Sequence, residues 1–191
     1  DGQGFRSVLS AAFEAAEADD FLVTIGISPT FPSTGYGYLQ KGEGVDGVTS
    51  RAVSVVDRFV EKPDLEKARQ YLDAGNYFWN AGMFAWRPSV ILKELLMHAP
   101  GLSKGLDELK GKRRETGALK EAMEKVYPSL EKISIDFAVM EKAERVVMLE
   151  SDFDWDDVGE WPAITRHYDA DGQGNVFKGE GVAMDAQGNL A

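Results

Sequence analysis

The residues best able to do chemistry lie in short strings scattered along the chain. In Phe59-Val60-Glu61-Lys62-Pro63 a strand delivers a carboxylate and an ammonium side by side, and proline turns the chain at once. A lysine there can donate to a phosphate and a glutamate can accept from sugar hydroxyls. The same string also reads as a solvated charge pair at a strand exit. Thr34-Gly35-Tyr36-Gly37-Tyr38 brackets a tyrosine with glycines, so backbone could approach a ligand closely, or the loop could be a turn packed by aromatics. Asn80 is the lone amide in the apolar run Tyr77 to Phe84. Left unpaired in a core it costs about 1–3 kcal/mol, so it either ties down a loop or faces a polar ligand. Asp152, Asp154, Asp156 and Asp157 crowd carboxylates that must be solvated, protonated or matched by cations. Magnesium uses one or two carboxylates plus substrate phosphate oxygens; an acidic surface turn is the other reading.

Two further strings imitate known motifs. Gly42-Glu43-Gly44-Val45-Asp46-Gly47 has the spacing G-x-G-x-x-G, but a Val-rich strand follows where dinucleotide binding needs a helix, so a hairpin loop is expected. Asp169, Asp171, Gln173, Gly174, Val176 and Glu180 fall at positions of a calcium loop. Gly179, Gly181 and Gly188 interrupt the helix that should leave it.

The elements that position these strings follow a helix-then-strand rhythm. Phe5, Val8, Leu9, Ala12, Phe13 and Ala16 share one face of a helix. Phe21 to Ile27 reads as a strand buried on both faces, the beat of an α/β protein. Val53 to Val60 is a second strand, after which Asp64 can cap a helix containing Leu65, Ala68, Tyr71 and Leu72. Tyr77 to Trp86 is strand-like, and Pro88 opens a helix that ends by Pro100. Residues 101–127 are expected to form a surface helix pair joined near Gly117. A helix over Ile135 to Ala143, a strand over Val146 to Leu149 and a helix over Glu160 to Tyr168 complete the pattern. After Asp169 the composition turns to Gly, Asn and Gln, so residues 170–191 are expected to be a linker or the start of a further domain, and residues 1–169 one domain.

Composition narrows the partners. A formal charge of −11 argues against nucleic acid and against an anionic membrane. With no cysteine there is no disulfide or thiolate chemistry. No signal peptide or long apolar run is evident, which makes the cytoplasm the expected location. His98 and His167 sit near expected helix ends and are read as surface or capping residues.

In order and spacing these strings resemble the mannose-1-phosphate guanylyltransferases. The likeness runs from about Phe5 to Tyr168 through Val23-Thr24-Ile25-Gly26-Ile27, Thr34 to Tyr38, Phe59 to Pro63, Trp79 to Phe84, Ser134-Ile135-Asp136, Ala138 to Lys142 and Trp155 to Trp161. It implies a Rossmann-like mixed sheet flanked by helices, the nucleotide-diphospho-sugar transferase fold, here truncated at the N-terminus. It also implies transfer of GMP from GTP to mannose 1-phosphate, with Mg2+ as cofactor. By the same resemblance Lys62 binds the sugar 1-phosphate, Glu61 and Asn80 bind mannose hydroxyls, and the backbone of Gly35, Tyr36 and Gly37 borders the sugar. Asp157 becomes the metal ligand, so that Lys62 and Asp157 carry the catalytic roles; Glu141 and Lys142 lie near the sugar. The family's nucleotide-gripping glycine-rich loop is not found in this sequence, so the chain alone is expected to be inactive, and a sheet edge exposed by truncation is expected to make it a homo-oligomer. The alternatives are a nucleotidyltransferase for another sugar, such as glucose 1-phosphate, and a calcium-binding module through residues 169–180.

Overall fold

A computed structural model describes residues 2–112, 117–159 and 161–191. The chain divides into two compact units, Asp1–Phe153 and Asp154–Ala191.

The first unit is a mixed α/β structure. Helix α1 (Gly2–Ala18) leads into strand β1 (Leu22–Ile27), followed by β2 (Tyr38–Val45), β3 (Val53–Val60), α2 (Leu65–Ala74) and β4 (Tyr77–Ala85). Helices α3 (Pro88–His98), α4 (Pro100–Leu109) and α5 (Ala118–Val126) come next, and β5 (Val146–Glu150) closes the unit. The strands pair in the order β1-β4-β2-β3-β5, with β5 returning to β1. Among the described strands of the ring only β1 and β5 run parallel, from Leu22 opposite Val146 to Gly26 opposite Glu150.

Local chemistry explains several boundaries. Asp64 caps α2 by accepting from the Lys67 amide at 2.8 Å, and Gly75 ends the helix in the left-handed region at φ 73°. Pro88 and Pro100 occupy first-turn positions of α3 and α4, where the missing N–H is no loss. The expected helix pair over residues 101–127 appears as α4 and α5; residues 113–116 of that expectation lie outside the described residues. The G-x-G-x-x-G string lies in β2 and the following turn, with β3 rather than a helix after it. At Gly42 a Cβ would meet the Asp57 carboxylate, so this glycine makes room for a cross-strand side chain.

Packing moved two expectations. The buried face of α1 is Val8, Ala11, Ala12, Ala15 and Ala16, while Phe13 is exposed. Small side chains let the helix lie close against β1 and β5, so alanines rather than phenylalanines face the sheet. The helix expected over Ile135 to Ala143 is a single π turn, Asp136–Met140, marked by the Glu141 amide bonding to the Asp136 carbonyl at 3.0 Å. Ala138, Val139 and Met140 of this turn are buried, and Val139 and Met140 pack with Leu39, Phe59, Phe78 and Met148 in the core. Full burial of one such side chain is worth about 1.5–3 kcal/mol, enough for the core to dictate an unusual turn.

Two features of β4 shape the site. Between Thr24 opposite Phe84 and Gly26 opposite Asn80, the single residue Ile25 faces Ala81, Gly82 and Met83. This is a bulge, and Gly82 supplies its positive φ of 67°. Strand β2 meets β4 only through Tyr38 to Gln40, so past the bulge Phe84 and Ala85 pair with β1 alone among the described strands. Every strand of the ring has two neighbours, and pairing on one side is partial in β4, in β2 beyond Gln40 and in β3 beyond Val55, so among the described residues no whole strand forms the expected exposed edge.

In the second unit the helix expected over Glu160 to Tyr168 is shorter. Helix α6 (Trp161–Ile164) runs into a 3-10 turn, Thr165–His167, and Glu160 lies outside the described residues. The rest is held by two isolated bridges, Ala170 with Val176 and Val176 with Leu190.

Candidate functional site

The exit of β3 organises one cluster. Val60 still pairs with Tyr38, and α2 begins at Leu65, so the chain must reverse within a few residues. Lys62 does this at φ 47°, the left-handed region, immediately before Pro63. Non-glycine residues avoid that region, and a following proline narrows the choice further. The lysine Nζ lies 2.7 Å from Glu61 Oε1; the Glu61 side chain is only 9% exposed, the Lys62 side chain 60%. A buried carboxylate therefore sits behind an exposed ammonium. The Glu61 amide donates to Glu141 Oε1 at 3.0 Å, which ties the turn to the end of the π segment. Glu141 also borders a cavity of about 370 Å³ beside Asp57, Arg58, Phe59 and Val60.

Gly37 and Asn80 complete the cluster. The Asn80 amide donates to the Gly37 carbonyl at 2.8 Å. A Cβ on Gly37 would lie 2.6 Å from Glu61 Oε2 and 3.3 Å from Asn80 Cβ. The glycine thus makes room for two polar side chains, one at the exit of β3 and one in β4. Gly35 is exposed and donates its amide to Ser33 Oγ at 3.2 Å. The Tyr36 ring packs edge-on against Trp79 at 5.1 Å, beside Phe31. Burial pushes the Tyr38 phenol up, while its hydroxyl donates to the Ser33 carbonyl at 3.0 Å. Of the expected residues, Gly37, Glu61, Lys62 and Asn80 come together, with Glu141 beside them. Lys142 instead reaches back to the Ala138 carbonyl at 3.4 Å.

The Asn80 carboxamide is fixed by groups the sequence reading did not assign. Its Oδ1 accepts from Thr24 Oγ1 at 2.9 Å and from the Gly82 amide at 3.2 Å. Its Nδ2 donates to Asp136 Oδ1 at 3.2 Å. A backbone N–H can only donate and a carboxylate can only accept, so these two neighbours set the flip of the amide. Both lone pairs of Oδ1 are engaged, and one Nδ2 hydrogen remains without a partner among the described residues. One signal was available: Thr24 is the only hydroxyl-bearing residue in the otherwise apolar β1.

The second unit holds the acidic run from Asp154 onward. Asp156 accepts from Arg166 Nε at 2.7 Å and Nη2 at 2.5 Å, and His167 Nε2 lies 3.0 Å away. The Arg166 guanidinium, then His167, holds this carboxyl below the usual range. Asp157 has neither hydrogen bond nor ion pair among the described residues, and the same holds for Asp154. Asp152, in the first unit, pairs with Arg51 at 2.8 Å. The calcium-loop imitation folds as a turn on itself. Asp171 Oδ1 accepts from the Gln173 and Asn175 amides at 2.8 Å each, its Oδ2 accepts from Asn175 Nδ2 at 3.0 Å, and no helix follows Glu180. Among the described residues no three acidic or histidine side chains are grouped so as to hold a metal ion.

The sequence pattern of the nucleotidyl transferase family matches residues 2–173. The chain belongs to that family. It is 39% identical over 186 residues to a mannose-1-phosphate guanylyltransferase of Sinorhizobium fredii, covering 97% of this chain and 35% of that protein. It is 38% identical over 192 residues to the xanthan biosynthesis protein XanB of Xanthomonas campestris, covering 100% and 39%. A solved structure from Thermus thermophilus, described as a mannose-1-phosphate geranyltransferase, superposes with a TM-score of 0.80 at 36% identity, covering all of this chain and 57% of that one. The chain therefore spans little more than a third of the length of these curated relatives.

In this nucleotidyl transferase chain the cluster offers three distinct capabilities. The exposed Lys62 ammonium can face a phosphate, the shielded Glu61 carboxylate can accept from hydroxyls, and Asn80 can give one N–H. No described helix is long and apolar enough to cross a membrane.

Proposed function

We propose that this chain supplies the sugar-phosphate half of a site that transfers GMP from GTP to mannose 1-phosphate. The observation that supports it best is the convergence of Gly37, Glu61 and Asn80, with Lys62 held over them in a strained turn. Strain of this kind costs on the order of 1–3 kcal/mol and persists where surroundings enforce it. In this reading Lys62 meets the sugar phosphate, while Glu61 and Asn80 grip hydroxyls with opposite hydrogen-bond polarity. A phosphate oxygen of the sugar attacks the α-phosphorus of GTP in line. The new P–O bond forms as the bond to the bridging oxygen breaks, and pyrophosphate leaves. No covalent bond to the protein is needed, because positioning does most of the work. Asp157, left uncommitted beside Asp156, would hold Mg2+, which when bound offsets charge on the phosphates. Homo-oligomer formation through the half-paired edge of β4 belongs to the same proposal.

The test is a titration of the chain with mannose 1-phosphate, and separately with glucose 1-phosphate, followed by two-dimensional NMR. Saturable shifts that favour the mannose compound and disappear in Lys62→Ala are expected. Equal response in the Lys62→Ala variant would remove the assigned role of the lysine. Preference for glucose 1-phosphate would reassign the sugar.

A further inference from the structure

Thr24 is fully buried in β1, where the other side chains are apolar. Its hydroxyl lies 2.9 Å from Asn80 Oδ1 and 3.3 Å from the Met83 carbonyl, on either side of the β4 bulge. A bulge removes ladder hydrogen bonds and re-aims a side chain. Here one buried hydroxyl spans the gap and faces both the side chain that is re-aimed and the backbone that makes room for it.

We propose that Thr24 is a positioning residue, whose hydroxyl bridges the β1–β4 bulge and holds the Asn80 carboxamide so that a single N–H faces the sugar phosphate. The inference rests on the sugar-phosphate reading above, but its structural half stands without it. With Oδ1 saturated by Thr24 and Gly82, and one Nδ2 hydrogen on Asp136, the amide is a donor toward ligand and nothing else. It therefore selects a lone pair on the ligand, leaving hydroxyl protons to Glu61. Removing the Thr24 hydroxyl leaves the Gly82 amide alone on Oδ1, and the carboxamide gains freedom to rotate away from Asp136.

Thr24→Val keeps the shape and deletes the hydroxyl, and Thr24→Ser keeps the hydroxyl and deletes the methyl. Two readouts are taken on the whole chain: mannose 1-phosphate affinity, and the paired side-chain amide resonances of Asn80, assigned by their loss in Asn80→Asp. Thr24→Val is expected to weaken affinity about tenfold, the worth of one buried hydrogen bond, and to collapse the separation of the two Asn80 amide protons. Thr24→Ser is expected to keep affinity within about twofold of the native chain, with the amide pair unchanged. Native affinity and a native amide pair in Thr24→Val overturn the proposal. So does a Thr24→Ser variant as weak as Thr24→Val, which would assign the effect to packing. If the native chain ignores mannose 1-phosphate, the sugar reading fails and the amide resonances decide the positioning role alone. Should Thr24→Val not fold, Thr24→Ala is read in the same way.

Discussion

Two buried asparagines, one in each unit, show the difference between a polar group that holds a fold and one that can also meet a ligand. Asn175 is 1% exposed and uses its full capacity. Its Nδ2 donates to Asp171 Oδ2 and the Ala186 carbonyl, each at 3.0 Å, and its Oδ1 accepts from the Asn189 amide at 3.1 Å and from Asn189 Nδ2 at 3.0 Å. Nothing is left for a ligand. Asn80 is almost as buried, at 8% exposure, yet keeps one N–H unspent beside Glu61. Their partners also differ in reach. Those of Asn175 lie within 14 residues of it, whereas Thr24 and Asp136 are each 56 residues from Asn80. The first network is a local clamp. The second exists only once the strands of the ring have found their register.

The sharpest way to break this comparison is to cut the saturated group. Asn175→Ala removes all four hydrogen bonds of one buried side chain and is expected to destabilise the second unit by about 2–3 kcal/mol. Hydrogen exchange read amide by amide should show the loss across residues 170–191. An equal loss of protection in β1 and β4 would mean the clamp is not local, and the contrast between the two asparagines would fail.

A smaller effect is expected from Gly37→Ala, and it falls on binding rather than folding. The added methyl meets the far end of the flexible Glu61 side chain, which can swing aside. Stability should stay within about 1 kcal/mol, while affinity for mannose 1-phosphate falls about tenfold because the Glu61 carboxylate is displaced. Urea denaturation and the NMR titration give the two values on one sample. Unchanged affinity would show that the convergence around Gly37 is packing, and would place Asn80 in the same class as Asn175.

The same contrast explains what could be read from the sequence. Local signals carried well: Asp64 as a cap, Pro88 opening α3, and the turn forced at Glu61-Lys62-Pro63. Asn80 stood out because an amide in an apolar strand demands partners. Those partners could not be named, because Thr24 reaches it only through a register shift between β1 and β4. The π turn at Asp136–Met140 escaped notice for a related reason: it follows from core packing around Val139 and Met140, not from residue spacing. The calcium-loop spacing, read as an imitation because its exiting helix is interrupted, has a local explanation. An aspartate that could ligate an ion two residues after another is equally able to accept from its own backbone, as Asp171 does.

Lys62 joins the two sides of the comparison, since its backbone is strained and its side chain is offered to solvent. The two properties can be separated by substitution. Both Lys62→Gly and Lys62→Ala delete the ammonium, so both should lose the sugar-phosphate response to the same degree. At φ 47° they differ in backbone cost: alanine keeps the Cβ clash with the following carbonyl, and glycine does not. Urea midpoints should therefore rank glycine above alanine by about 1 kcal/mol, with part of the relief offset by the greater freedom of glycine in the unfolded chain. If alanine equals or exceeds glycine, the turn is not strained as drawn, and Lys62 owes its place to its charge rather than to a backbone held under load.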